Sequence, residues 1–491
     1  MRPVHEHLPV NAPPATIPEP LRPALQPVLD DVAPLAERFT AAGHRLYLVG
    51  GVVRDLLLGS PLPDVDIDLT TDALPEQTKA ILRGWADAVW TQGERFGTIG
   101  AKQGDREFEI TTHRAEAYRP DSRKPDVEFS DAIEADLSRR DFTVNAMALS
   151  LPDLELVDPF DGMVDLLVHR RLRTPLAPEE SFSDDPLRML RAARFLAGYG
   201  LVPDGELIAA VKALAPRLEI VAPERLRLEL DKLMVVEDPS AGLWFLVDTG
   251  LAQEFLPELP AMRLEQDPIH HHKDVLAHTI AVVAKTRRLD AEGRPNKRVR
   301  LAALLHDVGK PKTRSFANGG VSFHHHEVVG ARMARERLSA LRYPNDETDD
   351  IVQLVDLHLR FHTYSMGWTD AAVRRFVRDA GDLLPELIEL TRCDCTTRNQ
   401  RKAERLSRRM DELEERIAAR REQEVLEAMR PDLDGTQVMA HLGVEPGRWV
   451  GEALDHLLQL RLDAGPLGEE EAYRRLDAWW ATRGLPPRPG G

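Results

Sequence analysis

Short β-rich runs are confined to one part of this chain. LYLVG, DVDIDLT and EFEITT fall between residues 46 and 160, and from about residue 184 apolar residues recur at i, i+3 and i+4 with almost no strand signal. A sheet can therefore form only near the N-terminus, so the chain is expected to be α+β, with an α/β head followed by an all-helical remainder. Helical periodicity is clearest over residues 185–199, 206–215, 223–236, 273–288, 297–308, 326–341 and 350–359. Residues 1–23 are dense in Pro and lack periodicity, which predicts a loose arm with structure starting near Leu25. Seams are expected at residues 174–183, at 258–270 with Pro260 and Pro268, and at the polar helix after Asn399.

At 491 residues the chain has room for about three domains. Its 43% hydrophobic and 30% charged residues exclude wholesale disorder and a collagen-like fibre. No run of 18 apolar residues occurs and the N-terminus lacks signal-peptide regions, so a cytoplasmic protein without a membrane partner is expected. Cys393 and Cys395, the two cysteines present, are too close for an ordinary disulfide framework and too few for a structural zinc cage. They read as small buried side chains flanking Asp394. The net charge of −17 argues against indiscriminate nucleic-acid binding, but leaves room for local patches. One lies between Arg401 and Arg421, where eight Lys/Arg meet five Asp/Glu; it reads either as a solvated helix face or as a surface for an RNA backbone.

The first chemical constellation opens at Val49-Gly50-Gly51, a strand running into an apolar helical turn that Gly59 closes. Paired glycines at such a turn let backbone N–H groups approach a phosphate. In Asp64-Val65-Asp66-Ile67-Asp68, strand alternation lines three carboxylates on one face. Their mutual repulsion is relieved by a cation, and hard oxygen ligands of this kind suit Mg²⁺. Glu109, between Phe108 and Ile110, has the same alternation and is a candidate to close that site. Asp185 and Arg188 are spaced i, i+3, with Arg191 and Arg194 continuing the series, so a carboxylate acceptor and a guanidinium fork are expected on one helix face, able to pair with a base edge.

LYLVGGVVRDLLLG, DVDIDLTTDALP, EITTHR, RRDFTVNAMAL, DPFDGMVDL and SDDPLRMLRAARF, in this order between about 46 and 236, resemble the class II tRNA nucleotidyltransferases, the bacterial CCA-adding enzymes and their poly(A) polymerase kin. The resemblance implies a polymerase-beta-like head, a neck, and template-independent addition of CCA to tRNA from CTP and ATP by two-metal chemistry. It places Gly51 and Arg54 on the triphosphate, Asp66 and Asp68 on Mg²⁺, and Arg140, Asp141 and Asn145 on the nucleotide and ribose. Asp185 and Arg188 become the reader of the incoming base, with Arg191 and Arg194 helping to hold it. The chain departs from the family pattern by two additional residues between Gly59 and the aspartate pair, which leaves Asp64 with Asp66 as a second choice for that pair. Poly(A) synthesis, or addition of CC or A alone, remains an alternative product, and a non-catalytic RNA-binding scaffold the alternative of a different class.

A second constellation follows. Leu301 to Lys310 places adjacent His306 and Asp307 after an apolar helix, and this resembles the HD-domain signature. That resemblance implies the ordered set His278, His306, Asp307, His326, His358 and Asp394 as the ligands of a phosphohydrolase metal site. Imidazole with carboxylate suits a transition metal such as Mn²⁺, Ni²⁺ or Fe²⁺ better than Ca²⁺. The neighbouring His270, His271, His272, His324 and His325 leave the register open by about a residue. LDGTQVMAHLGVEPGRWVG resembles the tail that in CCA-adding enzymes reaches the tRNA elbow. The expected organisation is an arm over 1–23, the head over 24–165, a neck over 166–262, the HD domain over 263–400 and a helical tail over 401–491 with tRNA contact.

Overall fold

The computed structural model describes residues 15–16, 22–60, 67–119, 122–264, 274–317, 320–361, 364, 367–395, 400–428, 430–464 and 467–483. The chain divides into two compact units, residues 1–368 with 378–398, and residues 369–377 with 399–491. In the first unit, α1 (Arg22–Ala41) buries Leu25, Val28, Val32, Leu35 and Phe39, one face at helical spacing, while Pro27 and Pro34 lie on its exposed side.

The head is built on one eight-stranded sheet whose strands, in chain order, are β1 (Ala15–Thr16), β2 (Leu46–Val49), β3 (Ile67–Thr71), β4 (Ala88–Trp90), β5 (Thr98–Gln103), β6 (Arg106–Thr112), then, after the separate hairpin of β7 (Arg114–Arg119) and β8 (Ser122–Phe129), β9 (Ala148–Leu151) and β10 (Glu155–Val157). Spatially the order is β1-β10-β9-β2-β3-β6-β5-β4, and β3 with β6 is its parallel pair. The expectation of a loose arm over 1–23 is corrected at Ala15 and Thr16, which pair antiparallel with Leu156 and Glu155 as an edge strand. Nothing local announces such a strand, because its hydrogen bonds come from a segment some 140 residues away. Helices α2 (Gly51–Leu57), α3 (Pro75–Leu82) and α4 (Ile133–Ser138) complete the head, followed by a short turn of helix, α5 (Gly162–Val164).

From there the chain is mainly helical. β11 (Arg171–Leu172) pairs in parallel with β12 (Val202–Pro203) around α6 (Pro178–Asp184) and α7 (Leu187–Tyr199). Next come α8 (Gly205–Leu214), α9 (Pro223–Met234), α10 (Ser240–Asp248), α11 (Leu251–Phe255) and α12 (Glu258–Ala261). The HD region contains α13 (Val275–Lys285), α14 (Lys297–Leu305), α15 (Lys310–Thr313), α16 (His326–Ala340) and α17 (Asn345–Leu357). Its hairpin of β13 (Arg314–Ala317) and β14 (Gly320–Phe323) departs from the all-helical expectation; four-residue strands are too short to interrupt a helical periodicity. Arg300 of α14, fully buried, donates to the carbonyls of Met234 (2.7 Å), Val236 and Glu237 (2.8 Å), so it caps the C-terminal end of α9.

After α18 (Asp370–Ala380) and α19 (Leu384–Asp394), the second unit carries the long charged helix α20 (Gln400–Ala428). Arg416 and Arg420 of α20 pair with Asp370. α21 (Gly435–Leu442), α22 (Arg448–Ala464) and α23 (Glu469–Thr482) close around Leu433, Val438, Leu457, Leu476, Trp479 and Trp480. Gly443 ends α21 as expected of a helix-breaking glycine, whereas Gly451 lies inside α22.

Candidate active site and metal centre

In the parallel pairing of β3 with β6, Ile67 faces Phe108, Asp68 faces Glu109 and Leu69 faces Ile110. The apolar partners are buried, which turns Asp68 and Glu109 to the opposite face as adjacent carboxylates on strands about 4.8 Å apart. Gly50, at φ +75°, lies against Asp68. A Cβ on Gly50 would stand 3.5 Å from Asp68 Oδ2 and 3.2 Å from an Arg140 guanidinium nitrogen, so a side chain there would fill the space between carboxylate and cation. Arg140 is steered by Asp136, whose buried carboxylate accepts from it at 3.1 Å and also from Arg139. Burial opposes ionisation of Asp136, but these two arginines hold its pKa below the ordinary carboxylate range. Asp64 and Asp66 lie outside the described residues.

Behind this face runs a chain of charge-assisted bonds. The Arg54 guanidinium donates to both oxygens of Asp55 (2.8 and 2.9 Å) and to Asn145 Oδ1 (2.7 Å), and packs on the Tyr199 ring with its carbon 4.3 Å from the centroid. Asn145 in turn donates to Asp141 (2.9 Å), and Asp141 accepts from Arg191 (2.7 Å). Burial would raise the Asp141 pKa; the Arg191 charge and the Asn145 and Arg191 hydrogen bonds bring it down to about 2. Glu229 of α9, buried, closes the series on Arg194 (2.8 Å) and Arg191 (3.6 Å). Glu229 and Tyr199 were invisible as site residues in the sequence. The available signal was a carboxylate on the apolar side of α9, four residues after Arg225.

The shared helix face expected of Asp185 and Arg188 is corrected. Asp185 precedes α7 in extended conformation, and its Oδ1 accepts the Leu187 N–H at 3.2 Å. Pro186, next in sequence, explains this, since a residue before proline is driven out of the helical region. Arg188 is buried and turned inward, donating to Ser181 Oγ (2.8 Å) and the Arg139 carbonyl (2.5 Å). The guanidinium beside Asp185 belongs instead to Arg225, at 2.9 Å from Oδ2 and 3.4 Å from Oδ1.

In the HD region, the ends of separate helices bring every expected ligand together. His278 Nε2 is 2.9 Å from Asp394 Oδ1 and 3.6 Å from Asp307 Oδ2. Asp307 also lies 3.3 Å from His306 Nε2 and 3.3 Å from His326 Nε2, and the His306 and His358 rings are 5.2 Å apart. The Nδ1 atoms of His306, His326 and His358 face the carbonyls of Ala303, Phe323 and Val355 at 2.6–2.7 Å. A carbonyl only accepts, so Nδ1 carries the proton and Nε2 points into the cluster. Nε2 of all three rings and Asp307 Oδ1 are buried without a hydrogen-bond partner, an arrangement that a cation would satisfy. Gly309 permits the close approach of α16 to the turn after His306 and Asp307, since a Cβ there would lie 2.2 Å from the His326 carbonyl oxygen.

The electrostatics agree. Burial would lower the His306 pKa, but Asp307 and Asp394 carry it up to about 10, so the pocket attracts positive charge. Burial and the neighbouring His306 push His358 down to about 3. Lys310, which sequence reasoning left out, donates to Asp307 Oδ2 at 2.6 Å. Burial raises the Cys393 thiol to about 12, consistent with an inert side chain. His324 and His325 are exposed, and His270, His271 and His272 lie outside the described residues. Among the described residues no helix is long and apolar enough to cross a membrane.

Comparison with known proteins gives three family matches, a poly A polymerase head domain over residues 46–173, a probable RNA and SrmB-binding site of polymerase A over 200–262, and an HD domain over 275–420. An A-adding tRNA nucleotidyltransferase of Deinococcus radiodurans is 34% identical over 445 residues, 88% of this chain and 95% of its own length. The chain belongs to the tRNA nucleotidyltransferase family. As a nucleotidyltransferase it is also 41% identical over 230 residues to a CCA-adding enzyme of Streptococcus suis, a match that takes in 47% of this chain and 55% of that relative. The crystal structure of the Bacillus stearothermophilus CCA-adding enzyme in complex with CTP superposes with a TM-score of 0.54 at 25% identity, covering 94% of this chain and 99% of the other. The Thermotoga maritima CCA-adding enzyme complexed with tRNA shares the fold, with a TM-score of 0.53 at 20% identity over 94% of this chain and 98% of that one. Nucleotidyltransferase and HD families both imply divalent metals.

Proposed function

We propose that this nucleotidyltransferase adds CCA to the 3′ end of tRNA from CTP and ATP in the cytoplasm. The observation that carries this reading is the registered pair Asp68 and Glu109, with Asp68 beside Gly50 and Arg140. Asp68, Glu109 and, by sequence, Asp66 form a donor set of hard oxygens that fits Mg²⁺. Bound there, Mg²⁺ supplies a lowered pKa for the tRNA 3′-hydroxyl and offsets charge on the α-phosphate and the pyrophosphate leaving group. The Gly51 backbone and Arg140 orient the triphosphate, and Asn145 with Asp141 receives the ribose. Arg54, held by Asp55, Asn145 and Tyr199, braces that floor. Asp185 accepts from the exocyclic amine that C and A share, whereas U and G present a carbonyl and meet repulsion; Arg188 fixes the pocket wall at Ser181 and Arg139, and Arg191 and Arg194 keep it positive. The charged helix α20 and the tail behind it contact the tRNA.

At the second centre, His278, His306, Asp307, His326, His358 and Asp394 would hold a transition metal such as Mn²⁺, Ni²⁺ or Fe²⁺, which supplies an activated water for phosphate-ester hydrolysis. Lys310, which donates to Asp307, would add positive charge for the phosphate.

One assay tests the first reading. Purified protein with Mg²⁺ receives tRNA lacking its 3′ end, with CTP and ATP separately and together. CC from CTP alone and CCA from both is the expected result; no addition to any tRNA end would overturn it. Addition of A alone, to a tRNA already ending in CC, is the second reading, favoured by the A-adding relative that spans 88% of this chain.

A further inference from the structure

We infer that a cleft in the helical part of the first unit, separate from the head and HD centres, binds a nucleoside phosphate. The cleft has a volume of about 710 Å³, within the range of small-molecule sites, and none of its lining residues belongs to either centre. Its walls are α9, the segment between α13 and α14, and the first turns of α14, α17 and α19. In the α19 wall stands Glu386, 9% exposed, with Oε2 buried and without a hydrogen-bond partner. Its Oε1 lies 3.9 Å from Arg288 Nε and 4.0 Å from Arg298 Nη1, too far for a hydrogen bond. Two guanidiniums thus flank a carboxylate without bonding to it. Arg298 is drawn to Asp350 at 3.1 Å, while the Arg288 side chain has no nearer acidic partner among the described residues. A carboxylate held away from water without donors is costly, and a bound group that donates to it recovers that cost.

A carboxylate accepts and a guanidinium only donates. Side by side they match an edge that carries an N–H next to an acceptor nitrogen or oxygen, which is the pattern of a nucleobase. The remaining lining suits the other parts of a nucleotide. Leu228 and Leu289, 49% and 56% exposed, with Val235 and Pro344, offer apolar surface to cover the faces of the ring. Lys232, exposed and 3.9 Å from Glu229, adds an accessible cation for the phosphate. The walls hold their spacing by their own bonds. The Asn296 N–H donates to the Arg288 carbonyl at 2.8 Å and the Asp290 N–H to the Arg294 carbonyl at 2.7 Å, which closes the segment carrying Arg288 and Leu289 on itself. Lys297 pairs with Asp231 at 3.1 Å and Glu347 at 2.7 Å, fastening α14 to α9 and α17.

The test is photolabelling of the full chain with azidoadenosine triphosphate and Mg²⁺, followed by peptide mapping. Besides segments of the head, residues 228–235 and 288–298 should carry label, and excess ATP should compete it away. Glu386→Gln keeps the side-chain size but removes the charge, and should lower labelling of those two segments by about tenfold, the value of one charge-assisted hydrogen bond. Arg288→Ala should lower it likewise, and decides the matter should Glu386→Gln fold poorly by circular dichroism. Labelling of the head should be the same in both variants, because the two sites share no residue. No competable label in either segment of the wild type, wild-type labelling of them in a folded variant, or an equal loss at the head would overturn the inference.

Discussion

In the HD centre, the candidate ligands arrive from the ends of separate helices and are largely buried. His306, Asp307 and His358 are at most 1% exposed, with their Nε2 and carboxylate atoms already converging. In the head, Asp68 and Glu109 come from neighbouring strands of one sheet, and Glu109 stands in solvent. The difference teaches how each site obtains its cation. A closed cage of imidazoles and carboxylates binds a metal by itself, and what it holds adds to the stability of the fold. An open pair of carboxylates is incomplete until phosphate oxygens join it, which ties the cation to the substrate. The paired Arg54, Arg191 and Arg194 near the head site are tied to Asp55, Asn145, Asp141 and Glu229, which gives that region rigidity.

The largest effect expected is at the open site. Asp68→Ala should reduce nucleotide addition by about a thousandfold, since a transition-state charge partner is lost. Metal bound at the HD centre, measured by elemental analysis, should not change. An active Asp68→Ala enzyme would move the catalytic pair to Asp64 and Asp66 and break the parallel-strand account of the site.

The converse variant sharpens the contrast. Asp307→Ala removes the carboxylate that faces His278, His306 and His326 together. HD metal affinity should fall by more than the roughly ten- to hundredfold that loss of an outer partner costs. The phosphohydrolase activity proposed for this centre should be absent from the variant on cyclic phosphates, nucleotides and phosphomonoesters, while nucleotide addition to tRNA continues. Unchanged metal content would show that the cage does not bind as its geometry suggests.

Much of both sites was legible in the sequence, for different reasons. Asp68 and Glu109 were readable because strand alternation is local; it puts a carboxylate opposite an apolar face whatever the topology. The six residues expected at the HD centre were readable through a resemblance, and their convergence then followed from helix ends, though no spacing rule joins His278 to Asp394. The pairing of Asp185 was not legible. Its partner Arg225 lies forty residues away on another helix, and the i, i+3 relation to Arg188 suggested a helix face that Pro186 forbids. The edge strand at Ala15 and Thr16 failed for the same reason, since both contacts are made by segments remote in sequence.

The smallest effect separates rigidity from ligation. Asp141 is buried between Asn145 and Arg191, and its folded pKa of about 2 lies below the ordinary 3.8. A group with a depressed pKa contributes stability above its unfolded value, and loses that contribution as the pH falls through its folded value. The displacement from 3.8 to about 2 corresponds to about 2 kcal/mol at neutral pH. Asp141→Asn keeps the shape and one acceptor oxygen but removes the charge that Arg191 pairs with. Its unfolding free energy from denaturant titration should therefore lie below wild type by about that amount at pH 7 and equally at pH 5, and the gap should narrow once the pH drops below about 4. Because the HD cage shares none of these groups, its metal content should be the same in both proteins throughout. A gap that stays constant from pH 7 to 3 would mean that the Asp141 charge does not hold this region, leaving the shape of the Asn145 and Arg191 contacts as the source of its rigidity.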